Sequence, residues 1–272
     1  MVGGQGDRGA AVAGLAEHLR SAYGAGAGAW QAGPGQLYTE LSHALVARAG
    51  QVLRGCRVLD LGAGTGAAGA AALAAGAGRV VAVDVALAML ARCPAGLAPV
   101  VGNGCRLPFR DGCFDLVLAA FALSHMPSVP DSLAEARRVG AAIAACSFAP
   151  GWGHPAKQAI DGVLLAFGYQ PPDWYRVFKD QAEPQAEDPG LLQAGARAAG
   201  FTGVRVRCVP VLTSLATPAQ LAAWRLGMAH IGPFVAGLPP AQRADLQRAA
   251  EDAVAGLAGT PVTVEIIVLT GR

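Results

Sequence analysis

The run Val58-Leu-Asp-Leu-Gly-Ala-Gly-Thr-Gly66 holds the chain's clearest chemistry. Gly62, Gly64 and Gly66 alternate, so backbone can approach a ligand with no Cβ in the way. The run begins apolar, as a buried strand does, and leads into alanine-rich sequence suited to a helix. A helix starting there turns free N–H groups and its positive dipole end toward the loop, which attracts a carboxylate or phosphate. Asp84 closes the next β-type run, about 20 residues on, where an acid can bind ribose hydroxyls. Both NAD and S-adenosylmethionine (AdoMet) suit that arrangement. Two details favour AdoMet. The loop is G-x-G-x-G rather than G-x-G-x-x-G, and Asp60 precedes it by two residues. An acid there repels a pyrophosphate but attracts an ammonium or sulfonium. Asp60 is therefore expected to hold the loop backbone or the AdoMet ammonium rather than to do catalysis.

These residues need a sheet to hold them. The pattern predicts strands at Arg57–Leu61, Val80–Asp84, Pro99–Gly102, Phe114–Ala119, Ala141–Phe148, Gly203–Leu212 and Pro261–Leu269. Helices are expected between them at Ala67–Ala75, Ala86–Arg92, Ser132–Val139, Ile160–Phe167, Leu191–Ala199, Pro218–Gly227 and Pro240–Leu257. Ahead of the first strand, Val12, Leu15 and Leu19 mark a helix over Ala10–Tyr23. A glycine-rich break, Gly24–Gly35, follows, and then a second helix over Leu37–Arg48. Strands alternating with helices imply an α/β fold, a doubly wound, largely parallel sheet covered on both faces. The chain of 272 residues is read as one domain: an N-terminal helical lid (1–50), a ligand-binding core (51–148), and cap insertions at 149–190 and 213–260.

Composition excludes several classes. Net charge is only +2, with no Lys or Arg run, so nucleic acid is not an expected partner. All but two of the 21 Lys and Arg residues are arginine, as codon bias in a GC-rich genome would give. The six cysteines form no C-x-x-C pair and no His lies at metal-ligand spacing. Free thiols and no metal are expected, in a cytoplasmic protein. Residues 1–10 lack the apolar stretch of a secretory signal, and the long uncharged run Leu61–Gly78 is nearly all Gly and Ala, unlike a membrane span.

With these motifs in order, the sequence resembles the class I AdoMet-dependent methyltransferases, in the small-molecule group that includes ubiquinone and menaquinone biosynthesis enzymes. Besides Val58–Gly66, the likeness rests on Val83-Asp84, Met89-Leu90, Gly102-Asn-Gly-Cys-Arg-Leu-Pro-Phe109, Phe114-Asp-Leu-Val117, Leu123-Ser-His-Met126 and Leu133–Val139. The resemblance implies a seven-stranded Rossmann-like sheet whose last strand is antiparallel, AdoMet as cofactor and S-adenosylhomocysteine as product. It implies that Gly62, Ala63 and Gly64 line the methionine part, Asp84 holds the ribose, and Gly104 and Cys105 flank the adenine. Asn103 stands where the family has the Asp that accepts from the adenine amino group. Ala119, Ala120 and Phe121 would face the sulfonium and substrate. The family's turn before the fifth strand is missing at Val139-Gly-Ala-Ala, which leaves that strand's register open.

The candidate bases are His125, after the fourth strand, and His154, in the Gly-Trp-Gly-His-Pro loop, each weighed against a packing role. His230, His18 and His43 read as packing or surface residues. Trp30, Tyr38, Trp152, Trp174 and Tyr175 are the expected substrate contacts, since aromatic side chains suit a mostly apolar pocket. The expected reaction is methyl transfer to a small, fairly apolar metabolite, on oxygen before carbon or nitrogen, in a natural-product setting, by a monomer or homodimer. A non-methylating cyclisation on the same scaffold and an NAD-dependent oxidation stay open.

Overall fold

Seven strands pair into one sheet in the computed structural model, which describes residues 5–50 and 52–272, with side chains from Glu17 onward. The elements run α1 (Gln5–Ala32), α2 (Pro34–Val46), β1 (Arg57–Leu61), α3 (Ala67–Ala74), β2 (Arg79–Asp84), α4 (Leu87–Leu90), β3 (Leu97–Val101), β4 (Leu116–Ala120), α5 (Val129–Val139) and β5 (Ile143–Phe148). The second half adds α6 (Pro155–Ala166), α7 (Asp173–Val177), a π-helical turn (Phe178–Ala182), α8 (Glu183–Glu187), α9 (Pro189–Ala198) and β6 (Arg205–Leu212). It ends with α10 (Pro218–Leu226), α11 (Gly232–Gly237), α12 (Pro240–Ala253) and β7 (Thr263–Gly271). Strand order is β3-β2-β1-β4-β5-β7-β6, parallel except for β7, which runs antiparallel to both neighbours. The doubly wound Rossmann-like sheet is thus present. Its order reverses between β1 and β4, and ligands of such sheets bind beyond the carboxyl ends of the strands at that point.

Alternation along the buried strands divides the core. Leu116 and Leu118 face Leu37, Leu41 and Leu45 of α2, while Val117 and Ala119 face Leu133 and Val139 of α5. Helix starts follow local chemistry: the Ser128 hydroxyl accepts from Asp131 N–H at α5, and Thr217 and Gln220 form a reciprocal capping pair at α10. The register of β5 is set by Val117↔Ile143. Gly140 takes the tight corner before it, where a Cβ would meet Val117 Cγ2 at 2.6 Å.

Two expectations need correction. The glycine-rich stretch does not break the first helix: α1 continues through Gly24, Gly26 and Gly28 to Ala32. Each helical Gly costs about 1 kcal/mol, but Ala27 and Trp30 of this segment bury against Ala86 and Met89, and docking outweighs propensity. The side chains of Val12 and Leu15, used to place that helix, lie outside the described residues, as do residues 1–4 of the N-terminal segment. The first cap insertion also holds more than one helix. Asp173–Glu187 is a continuous run of short helical pieces around a π-helical turn, a feature frequent at functional sites. Among the described residues no helix is long and apolar enough to cross a membrane.

Candidate active site

A cleft of about 1190 Å³ opens beyond β1, β2 and β4 and is lined by the loop from Gly62 to Thr65, by Asp60 and Asp84, and by Asn103 and Gly104. All three loop glycines have positive φ: 67° at Gly62, 56° at Gly64 and 84° at Gly66. Gly62 is sterically obligatory, since a Cβ would lie 2.5 Å from Ala122 Cβ. Asp84 ties the loop down: its Oδ2 accepts from Gly64 N–H and its Oδ1 from Ala86 N–H, both at 2.8 Å. Each carboxylate oxygen retains a further acceptor site for a ligand hydroxyl. Asp84→Ala removes both loop ties along with any ligand bond. AdoMet affinity is expected to fall at least about tenfold, at about 1.5–3 kcal/mol per charged bond. An unchanged dissociation constant by calorimetry would refute this.

Asp60 is almost fully buried and accepts from Gly69 N–H of α3 at 2.7 Å. Burial, partly offset by that bond, pushes its carboxyl up to about 7. Burial also raises Asp84, opposed by its backbone bonds. Among the described residues neither carboxylate is ion-paired with a cation of the protein. Two buried acids in one cleft suit a cationic ligand and repel a pyrophosphate. The raised value has a consequence for stability. A carboxyl with a raised folded pKa stabilises fully below the unfolded value and loses that contribution as pH rises toward 7. The melting-temperature gain of Asp60→Asn over wild type, without ligand, should therefore grow from pH about 4 to about 7 and level off above. A gain independent of pH would show that Asp60 is not strained when ionised.

Beside this cleft lies a second chamber of about 1120 Å³. Tyr23, Tyr38, Phe121 and His125 line both. Phe121 has φ 54°, the single described non-glycine residue in the left-handed region, and packs against Phe148 with ring centres 4.7 Å apart and planes tilted by 47°. Such strain is costly and clusters at functional positions. His125 bridges two hydroxyls at this junction: Nε2 pairs with Tyr23 Oη at 2.9 Å and Nδ1 with Ser124 Oγ at 3.1 Å. Phe178 of the π-helical turn packs on its ring at 4.8 Å. Burial pushes His125 down to about 4, slightly countered by the Phe121 backbone, and burial pushes the Tyr23 hydroxyl upward.

Several sequence-derived candidates meet here. Trp152, Trp174 and Tyr175 line the second chamber, Trp30 lines the first, and Tyr38 both. Others sit apart. His154 caps α6, its Nδ1 accepting from Ala156 N–H at 3.2 Å, and it lines neither space. Cys105 turns its Sγ toward Ser128 O and Ser132 Oγ and lines neither. Ala119 is fully enclosed in the sheet, and the two residues after it, Ala120 and Phe121, line the cleft. Gly66 caps α3 behind the lining residues. Asn103 lines the cleft, but its Oδ1 already accepts from Cys105 N–H at 2.9 Å. His230, read as packing, lines the second chamber and stacks on Tyr175. Sequence reasoning missed Tyr23, Ser124, Phe178, Lys179, Glu183 and Arg225. One signal was available for part of this set: the chain's two lysines, Lys157 and Lys179, both line the second chamber.

Residues 59–142 match the family model for a methyltransferase domain. A demethylmenaquinone methyltransferase of Parafrankia sp. (strain EAN1pec) is 34% identical over 195 residues, covering 58% of this chain and 74% of that protein. The chain belongs to the class I AdoMet-dependent methyltransferases. The demethylmenaquinone methyltransferase of Mycolicibacterium vanbaalenii is 32% identical, covering 56% of this chain and 70% of the relative. The fold also matches Haemonchus contortus phosphoethanolamine N-methyltransferase 2 (TM-score 0.53, 17% identity, 90% of this chain and 56% of that one). It matches the [4+2]-cyclase SpnF as well (TM-score 0.51, 18% identity, 86% and 80%). At such identities these likenesses bear on fold alone. As a member of its family, this methyltransferase takes AdoMet as cofactor.

Proposed function

We propose that the chain transfers a methyl group from AdoMet, seated in the cleft beneath Gly62–Gly66, to a hydroxyl of a small, largely apolar molecule in the second chamber. Carbon and nitrogen acceptors rank after oxygen. The join between the two spaces carries the reading, with Tyr23 and His125 lining both. In this assignment Gly62, Ala63 and Gly64 lie along the methionine part and Asp60 faces the ammonium. Asp84 takes the ribose hydroxyls, Asn103 and Gly104 meet the adenine, and Ala120 and Phe121 face the sulfonium. Asn103 Oδ1 has a second lone pair for the adenine amino group. When bound, AdoMet supplies an electrophilic methyl on sulfur. The protein's own residues position the acceptor in line, exclude water with Tyr38, Phe121 and Phe148, and take up a proton.

The proton route runs through Tyr23. With its hydroxyl donating to His125 Nε2, the Nδ1 hydrogen donates to Ser124 Oγ. As the acceptor hydroxyl gives its proton to the Tyr23 oxygen, Tyr23 passes its own to Nε2. A base works only when unprotonated, so the rate falls as pH drops through its pKa. Since burial holds His125 near 4, the acid limb of kcat/KM for the acceptor, with AdoMet saturating so that Asp60 stays ionised, is expected near pH 4. A limb at the ordinary histidine value near 6.5 would count against His125. The six unpaired thiols support a reducing, cytoplasmic setting, and the enlarged cap supports a specialised natural-product substrate. Product mass tests the reading as a whole. Methyl transfer adds one methyl group and releases S-adenosylhomocysteine, whereas a product of unchanged mass would mean a cyclisation or rearrangement.

A further inference from the structure

The second chamber carries more charge than a simple apolar acceptor needs. Lys157, Lys179 and Arg225 line it, together with Glu183 and Glu187. Most of this charge is already committed. The Arg225 guanidinium donates to both oxygens of Asp161 at 2.7 and 2.9 Å, and Lys179 is paired with Glu183. Glu187 has its carboxyl pushed up to about 7 by burial and by neighbouring Glu183, so it opposes a bound anion only weakly. Lys157 is the exception. Among the described residues no carboxylate lies within ion-pair distance of its Nζ, which stands 5.4 Å from the centre of the Trp152 ring.

Two residues lining the same chamber each carry a buried polar atom with no hydrogen-bond partner among the described residues: Ser147 Oγ and His230 Nε2. Their residues are 4% and 6% exposed. Buried polar atoms are nearly always bonded, so each orphan is a place where a ligand group or a water completes the set. His230 is held flat against Tyr175, at 8° between ring planes, which fixes the direction of its edge. The apolar wall nearby is the Phe148–Trp152 stack, with planes 8° apart and centres at 5.0 Å. Lys157, Ser147 and His230 line the second chamber but not the cofactor cleft.

We propose that the acceptor molecule is a carboxylic acid with a planar apolar body, its carboxylate held by Lys157, with Ser147 and His230 completing its hydrogen bonds. The planar body lies along Phe148 and Trp152, and the atom that receives the methyl group points toward Tyr23 and His125. The carboxylate is an anchor and not the methylated group, because the residues that hold it lie outside the cleft. A lone ammonium beside an aromatic wall recognises such an acid by charge, and the two orphan atoms supply directional bonds that a neutral amide fits less well.

The proposal rests on the methyl-transfer reading, and one titration series separates the two. The protein is first saturated with S-adenosylhomocysteine, then titrated by calorimetry with naphthalene-2-carboxylate and with naphthalene-2-carboxamide, a neutral probe of the same shape. The acid is expected to bind at least tenfold more tightly than the amide. Lys157→Gln, on the half-exposed face of α6, should erase that preference and leave S-adenosylhomocysteine affinity unchanged. Ser147→Ala should weaken the acid severalfold and the amide little. Equal binding of the two probes, no binding of either, or a preference that survives Lys157→Gln overturns the substrate class while leaving the methyl-transfer reading in place. Failure of wild type to bind S-adenosylhomocysteine overturns that reading, and the proposal with it.

Discussion

AdoMet binding is expected to weaken at least about a hundredfold in Gly64→Val, a loss of roughly 2.8 kcal/mol. Two effects add. Gly64 sits at φ 56°, and a β-branched residue there costs about 1–2 kcal/mol or more. Relieving that strain means rotating the peptide whose N–H donates to Asp84 at 2.8 Å, which disturbs the carboxylate assigned to the ribose. The new side chain also occupies cleft volume. Within the protein its Cβ would meet only the flexible end of Met89, at 3.4 Å, so the fold should survive. Calorimetry reads the affinity, and the melting temperature serves as control. Gly62→Ala makes the contrast: its Cβ would collide with Ala122 at the end of β4, and its cost should appear in stability as well. Near-normal AdoMet affinity in Gly64→Val would remove the loop from the binding site.

His125→Ala is expected to lower the methylation rate about a hundredfold with little change in AdoMet affinity, toward the low end of general-base effects. The residue's links are with Tyr23, Ser124 and Phe178 rather than with the glycine loop. If the proton leaves through Tyr23, Tyr23→Phe should cost a similar factor, and the double variant little more, because residues acting as one relay are non-additive. Single-turnover rates with the cofactor saturating would show this directly. A full rate in His125→Ala would mean that the acceptor needs no base here, as a thiol or amine would not.

What the sequence made legible follows from how local the cause is. β1 was readable to the residue because a short buried strand ending in glycine has no competing local structure. The glycine loop and Asp84 were readable because backbone approach and ribose binding constrain residue type within about 20 positions. The unbroken α1 was not readable, since its helix depends on Trp30 and Ala27 docking onto α4, a contact between distant segments. The Tyr23–His125 pair spans 102 residues and left no local trace. His154 sits apart from the site for the opposite reason. Its sequence neighbour Pro155 begins α6, so the imidazole is used as a helix cap and lines neither space. The charged end of the second chamber was hidden because Lys157, Lys179 and Arg225 lie on three separate elements that only the folded cap brings together.

The glycines of α1 also set a clock. Leu19, Tyr23 and Trp30 from this helix wall the cofactor cleft, and Tyr23 walls the second chamber too. Added Cβ atoms at Gly24 and Gly26 would meet nothing within 4 Å, so packing does not require glycine at either position. Their effect is to make the docked helix about 1 kcal/mol per residue easier to release than alanine would. Alanine at both positions would hold the helix docked longer, so ligand residence time is the quantity this composition is expected to tune.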